Sequence, residues 1–246
     1  MNRFQNHLFL LLSICSLLFF AGCKNEKATV ESESQTTPQI KKDTTAATTV
    51  VLPKPNKTIP VADYDTAQWV DLLFMDSTII IDLRYATENN FVEEKMYECP
   101  RCFLRPKVAE VVVKIHKNLQ KQDLGLKFFD CYRPLGIQQR LWDKVPDARY
   151  VTNPKKGSMH NRGLAVDLTI VDSKGNELDM GTPFDYFGPK GYHTYTKHSN
   201  EVNENRHLLK STMEAAGFKS IRTEWWHYSY RYAKHPLSDM VWKCGK

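Results

Sequence analysis

The stretch "GLAVDLTIVD", Gly163 to Asp172, decides how the chain is read. Leu164, Val166, Leu168 and Ile170 alternate with Ala165, Asp167 and Thr169, a period of two that predicts a strand. Asp167 places a carboxylate inside this otherwise apolar run. Burying an ionised carboxylate without a partner is costly, so the strand requires something positive close by. Seven residues upstream, in "SMHNRGLAVD" (Ser158 to Asp167), stands His160. Gly163 lies between them and can supply the left-handed turn that folds loop onto strand.

Outward from this strand, "STIIIDLRYA" (Ser77 to Ala86) and "LKFFDCY" (Leu126 to Tyr132) read as two more strands. "RPKVAEVVVKIHKNLQKQ" (Arg105 to Gln122) predicts a helix. Pro106 suits its first turn, and Val108, Val111, Val112, Ile115 and Leu119 share a face. Pro134 opens a short helix through Ile137 and Leu141, and Gly175-Asn176 marks a turn. "NENRHLLKSTMEAAGF" (Asn203 to Phe218) predicts a helix with Leu208, Leu209 and Met213 inward and Gly217 as its stop. "WWHYSY" (Trp225 to Tyr230) reads as a closing strand. The elements lack a regular βαβ rhythm. The expected class is therefore α+β: an antiparallel-rich central sheet with helices packed against it, in a single compact domain.

The 246 residues are 41% hydrophobic and 25% charged, an ordinary globular balance. A net charge of +6 without a basic stripe interleaved with aromatics argues against nucleic acid as a partner. "MNRFQNHLFLLLSICSLLFFAGC" has Arg3, an apolar run from Leu8 to Ala21, and Gly22-Cys23. That run is shorter than the roughly 20 residues of a membrane-spanning helix and has the flanks of a secretory signal. "FAGC" resembles a bacterial lipoprotein signal, although Phe20 stands where leucine is usual; a plain signal peptide is the alternative. Residues 24–60, rich in Thr, Lys, Glu and Pro, cannot bury enough apolar surface to fold. The expected organisation is a signal peptide over 1–22, a disordered tether over 23–60 and a folded domain over 61–246. The protein is then an exported lipoprotein, held by a lipidated Cys23 and facing the periplasm or the cell exterior. Cys99, Cys102, Cys131 and Cys244 remain in the folded part; an exported chain can oxidise them, and sequence does not choose among three pairings. "CPRC" can be read as a redox pair or half a zinc knuckle, but no second such motif accompanies it. A structural disulfide or buried thiols is the preferred reading.

Zinc in a catalytic site takes three protein ligands and leaves one position for water. His160 and Asp167 supply two candidate ligands. "TEWWHY" supplies His227, with Glu224 three positions earlier, a carboxylate suited to taking a proton from metal-bound water. Residues three apart in a regular strand face opposite ways, so a shared site requires a turn or bulge at Glu224–Trp226. His116, His193, His198, His207 and His235 lie in polar or helical contexts that call for no ligand role.

"SMHNRGLAVD" together with "EWWHY" resembles the D-alanyl-D-alanine dipeptidases of the VanX type, in the zinc D-Ala-D-Ala metallopeptidase group. "LRYATENNFV", "RCFLRP", "DCYRP" and "FDYF" extend the resemblance through most of residues 61–246. It implies one zinc per chain, held by His160, Asp167 and His227, with Glu224 as catalytic acid/base. It implies that Arg133 steadies the substrate carbonyl and developing oxyanion, and that Ser158, Asp130 and Asp185 lie near the substrate's free amino group. The implied partner is a small D,D-dipeptide, with peptidoglycan fragments as further candidates. A carboxypeptidase or endopeptidase acting on peptidoglycan stem peptides, and a wall-binding module that keeps zinc without catalysis, are the rival readings. Cys99 is not associated with the motif, and an exported enzyme would not deplete a cytoplasmic precursor pool.

Overall fold

A computed structural model describes residues 62–244. The signal peptide and tether assigned to 1–60, and the lipidated Cys23, lie outside the described residues. A two-stranded ribbon pairs β1 (Val70–Asp71) antiparallel with β3 (Phe103–Leu104), and α1 (Leu72–Met75) follows β1 directly. The main sheet contains β2 (Ile80–Ile81), β4 (Leu124–Asp130), β5 (Ala165–Asp172), β6 (Lys219–Ile221) and β7 (Glu224–Ser229), in the spatial order β2-β4-β5-β7-β6. Only β2 and β4 run parallel; the other neighbours are antiparallel, as the expected class requires.

β5 is the central strand. Its first seven residues are all buried, so both of its alternating faces are covered. That explains why Ala165 and Thr169 sit opposite a fully apolar face and why Asp167 needs internal partners. The helix α2 (Pro106–Gln120) opens on its proline and packs against β4, burying Val108, Val112, Ile115 and Leu119; Val111 is only half-buried. His116 is buried on the same helix. Its Nδ1 accepts the Leu126 N–H at 3.0 Å, and its Nε2 lies 2.9 Å from Thr78 Oγ1, so it serves as a cross-brace. The helix α3 (Leu135–Lys144) follows Pro134. The helix α4 (Asn200–Ala215) begins three residues before the expected Asn203, because the Ser199 hydroxyl accepts the Val202 N–H and caps it. Leu209 and Met213 are buried and Leu208 is half-buried.

Two further points correct the sequence reading. The strand expected over Ser77–Ala86 forms only at Ile80–Ile81. This edge strand has one neighbour, and the chain leaves it for a 3-10 turn at Arg84–Ala86. The short strands β1, β3 and β6 were not anticipated. The preferred reading of "CPRC" as structural holds: it does not bridge internally as a redox pair would, and Cys99 pairs with Cys244 and Cys102 with Cys131.

Candidate metal centre and active site

The sheet register assembles the site. Asp167 on β5 stands directly opposite His227 on β7. His160 lies in a 3-10 turn, His160–Arg162, that ends at Gly163 with φ +69°. A Cβ at Gly163 would fall 2.4 Å from Trp69 Cζ3, so both conformation and space demand glycine there. His160 Nε2, His227 Nδ1 and Asp167 Oδ1 form a nearly equilateral triangle with edges of 3.1, 2.9 and 3.3 Å.

The chemistry of this triangle fits a cation. His160 Nδ1 lies 2.7 Å from the Cys131 carbonyl, which can only accept, so Nδ1 carries the proton and Nε2 presents a lone pair. His227 Nε2 lies 3.0 Å from Ser229 Oγ, a partner for the proton that an imidazole coordinating through Nδ1 keeps on Nε2. Two lone pairs and a carboxylate oxygen then converge. Tetrahedral N and O ligands about 2.0–2.1 Å from zinc stand roughly 3.3 Å apart, close to the spacing observed. Burial alone would raise Asp167, but the two imidazoles hold its carboxyl well below the usual carboxylate range. Burial lowers His160, and the Asp167 charge outweighs it, leaving the imidazole raised.

Glu224 shares this site. Ser220 and Ile221 are consecutive on β6, yet they pair with Tyr228 and Glu224 on β7, so Trp225–His227 depart from the β6–β7 ladder. The irregularity expected at Glu224–Trp226 is present, one residue further along. Trp225 and Trp226 are both buried, and Glu224 Oε2 comes within 4.0 Å of His227 Nδ1. Burial raises the Glu224 carboxyl, His227 opposes this, and Asp167 adds to it; the net shift is upward.

Arg133 follows β4 and is clamped to the His160 turn. Its N–H donates to the His160 carbonyl at 3.2 Å, and Asn161 Nδ2 donates to its carbonyl at 2.8 Å. Its guanidinium donates to Asp130 Oδ2 at 3.0 and 2.6 Å and to Gln138 Oε1 at 3.0 Å, and lies 5.0 Å from the centre of the Tyr85 ring. Burial would lower Arg133, but Asp130 more than compensates and fixes it as a cation. Asp130 was expected beside the substrate's amino group. It is instead fully buried and absent from the cavity wall, and Tyr97 and Arg133 occupy its oxygens. It holds the Arg133 guanidinium through two hydrogen bonds to Oδ2.

Asp185 and Ser158 do reach the cavity that contains His160, Asp167, His227, Glu224 and Arg133. The Tyr85 hydroxyl donates to Asp185 Oδ2 at 2.9 Å, and Asp185 adopts φ +58°, which aspartate tolerates better than most residues. Burial, then the Asp167 charge, pushes its carboxyl well above the usual range. The Ser158 hydroxyl donates to Asn161 Oδ1 at 3.1 Å. Sequence reasoning missed Tyr85, Tyr97, Gln138, Asn161 and Ser229. Of these, Tyr85 alone had a signal, as the tyrosine of "LRYATENNFV".

Two imidazoles and a carboxylate that converge beside a second carboxylate and a fixed guanidinium, all on one cleft, define a metallopeptidase. The chain belongs to the D-Ala-D-Ala dipeptidase family of peptidases, whose model matches residues 65–241. A D-alanyl-D-alanine dipeptidase of Escherichia coli is 35% identical over 181 residues, covering 73% of this chain and 94% of the relative. One from Enterococcus faecium is 31% identical over 178 residues, covering 64% and 88%. Among solved structures, a vancomycin-resistance D,D-pentapeptidase VanY in complex with zinc is 18% identical with a TM-score of 0.35. The match covers 52% of this chain and 73% of that one.

Proposed function

We propose that this protein is a zinc D,D-dipeptidase that hydrolyses free D-alanyl-D-alanine in cell-wall peptide turnover. The convergence of His160, Asp167 and His227 in the same cleft as Glu224 and Arg133 is the observation that carries the reading. Zinc held by those three residues would supply a Lewis acid that brings water's pKa down to about 7. Glu224 takes the proton from the attacking water at a carboxylate oxygen and later passes it to the leaving amine; its raised affinity for protons suits the second task. Arg133 holds its guanidinium donors where negative charge develops on the former carbonyl oxygen, and Asp130 and Gln138 prevent it from turning away. Asp185 receives the substrate's ammonium. Bringing that cation close favours the ionised carboxylate that burial otherwise disfavours. Tyr85 fixes the direction of Asp185. Ser158 lines the cleft at the His160 turn.

An ammonium subsite this near the reacting atoms favours a free dipeptide over an internal stem peptide. The E. coli and Enterococcus relatives carry the dipeptidase name, which supports the same choice. The lipoprotein signal over 1–22, the tether over 23–60 and anchorage through Cys23 are part of the proposal, and the two disulfides support export. The test is incubation of the zinc-loaded protein with free D-Ala-D-Ala and, separately, with a pentapeptide stem, each with and without chelator. Chelator-sensitive release of D-alanine from the dipeptide is expected. Cleavage of the stem peptide alone would transfer the protein to the carboxypeptidase reading. Glu224→Ala is expected to lower turnover by at least about 10²-fold while zinc stays bound; full activity would remove Glu224 from its role.

A further inference from the structure

The cavity measures about 980 Å³, at the top of the roughly 300–1,000 Å³ range of pockets that hold drug-sized ligands, and a dialanine is far smaller. His227, Ser229 and Arg231 are spaced two apart, so they follow one face as β7 runs out, and the Tyr230 N–H still donates to the Leu164 carbonyl at 2.8 Å. Arg231 is thus roughly 13 Å along the chain from His227, at about 3.3 Å per residue. Arg162, at the end of the His160 turn, and Lys234 line the same region. Arg162 Nη1 donates to the His235 carbonyl at 2.6 Å, which ties the two segments together.

The charges along the cavity are segregated. Its lining carboxylates are Asp167, Asp185 and Glu224. Asp167 and Glu224 belong to the metal end, and Tyr85 links Asp185 to Arg133 there. Arg162, Arg231 and Lys234 have no carboxylate within ion-pair distance among the described residues. An uncompensated set of cations on the wall of a cleft attracts an anion.

We propose that Arg162, Arg231 and Lys234 form a specificity arm for an anionic group on the leaving-group side of the substrate, so that the enzyme also takes D,D-dipeptides with an acidic second residue. This rests on the dipeptidase reading, which sets the ammonium at Asp185 and points the other end of the substrate toward the arm. The residue after the scissile amide adds only about 3.5 Å of backbone. An extra carboxylate on a side chain such as that of D-glutamate extends further toward the arginines than the terminal carboxylate of D-alanine does.

The zinc-loaded full-length protein is assayed on D-Ala-D-Glu and its neutral isostere D-Ala-D-Gln, with D-Ala-D-Ala as reference. Binding of the first two to the Glu224→Gln variant is measured by calorimetry. The expected kcat/KM preference for D-Glu over D-Gln is about fivefold, carried by KM, and is matched in binding. Arg231→Gln is expected to bring the ratio close to one, and Arg231→Lys to restore most of it. Arg231 makes no side-chain hydrogen bond or ion pair among the described residues, so this variant tests charge without removing a structural contact. A ratio near one in the parent, or one unchanged by Arg231→Gln, overturns the arm. If no D,D-dipeptide is hydrolysed, the dipeptidase reading fails, and the calorimetric ratio alone judges the arm: a preference for D-Glu supports it and equal affinities overturn it.

Discussion

At the scale of single residues, the site depends on groups whose own freedom has been removed. Arg133 is directed by Asp130 and Gln138 through its side chain and by His160 and Asn161 through its backbone. Lysine cannot make that forked set of contacts. Arg133→Lys is therefore expected to lower kcat by about 10²–10³-fold, as loss of a preorganised oxyanion donor does, with a smaller change in KM. Steady-state kinetics on D-Ala-D-Ala measure both; an unchanged kcat would remove Arg133 from the charge-stabilising role. Asp130→Asn keeps the shape but weakens the hold, and is expected to lower kcat to a lesser degree without altering zinc content. Tyr85→Phe frees the Asp185 carboxylate and is expected to raise KM more than it lowers kcat. His160, Asp167, His227 and Glu224, which lie together on one cleft, were legible as candidates because their residue types and spacing match a chemistry. Asp130 was misplaced because "DCYRP" does not reveal that its carboxylate turns inward to Tyr97 and Arg133. Asn161 left no trace, since a polar residue in a polar loop looks alike whether buried or solvated.

At the scale of elements, alternation along Gly163–Asp172 was enough to find β5, and the 3.6-residue spacing was enough to find α2. The pairing of Asp167 with His227 was not legible, because register arises from the whole sheet. The run of isoleucines suggested a long first strand. The chain instead breaks off after Ile81, and Tyr85, the middle residue of the 3-10 turn that follows, reaches Asp185. Gly163 is the hinge between turn and strand. Gly163→Ala is expected to destabilise the fold by more than about 1 kcal/mol, through positive φ and collision with Trp69. Urea denaturation checks this, and parent-like stability would contradict the geometry. The Cys102–Cys131 bridge closes the segment that ends at the site, and the Cys131 carbonyl orients His160. Replacing both cysteines by serine is expected to cost about 3–4 kcal/mol on loop-entropy grounds. Zinc affinity should fall as well if that carbonyl shifts.

At the scale of the whole molecule, buried His116 and half-buried His193 contribute to how the fold responds to acid. Burial lowers His116, and burial followed by Lys210 and Arg206 brings His193 down to about 4. Both bind a proton less readily when folded than unfolded histidine, which does so near pH 6.5. The unfolded state therefore binds more protons below that point, and stability is expected to fall as pH drops from about 6.5 toward 4. Chemical denaturation across that range measures the slope, and His193→Gln should flatten it; an unaltered slope would assign the effect to other groups. The proposed function requires three residues far apart in sequence to close on one zinc ion. Anomalous diffraction at the zinc edge, from crystals of the purified protein, tests it most directly. One peak is expected, bonded to His160 Nε2, His227 Nδ1 and an Asp167 oxygen at about 2.0–2.2 Å, with a coordination position left open. No peak among those three groups, or zinc held elsewhere, would contradict it.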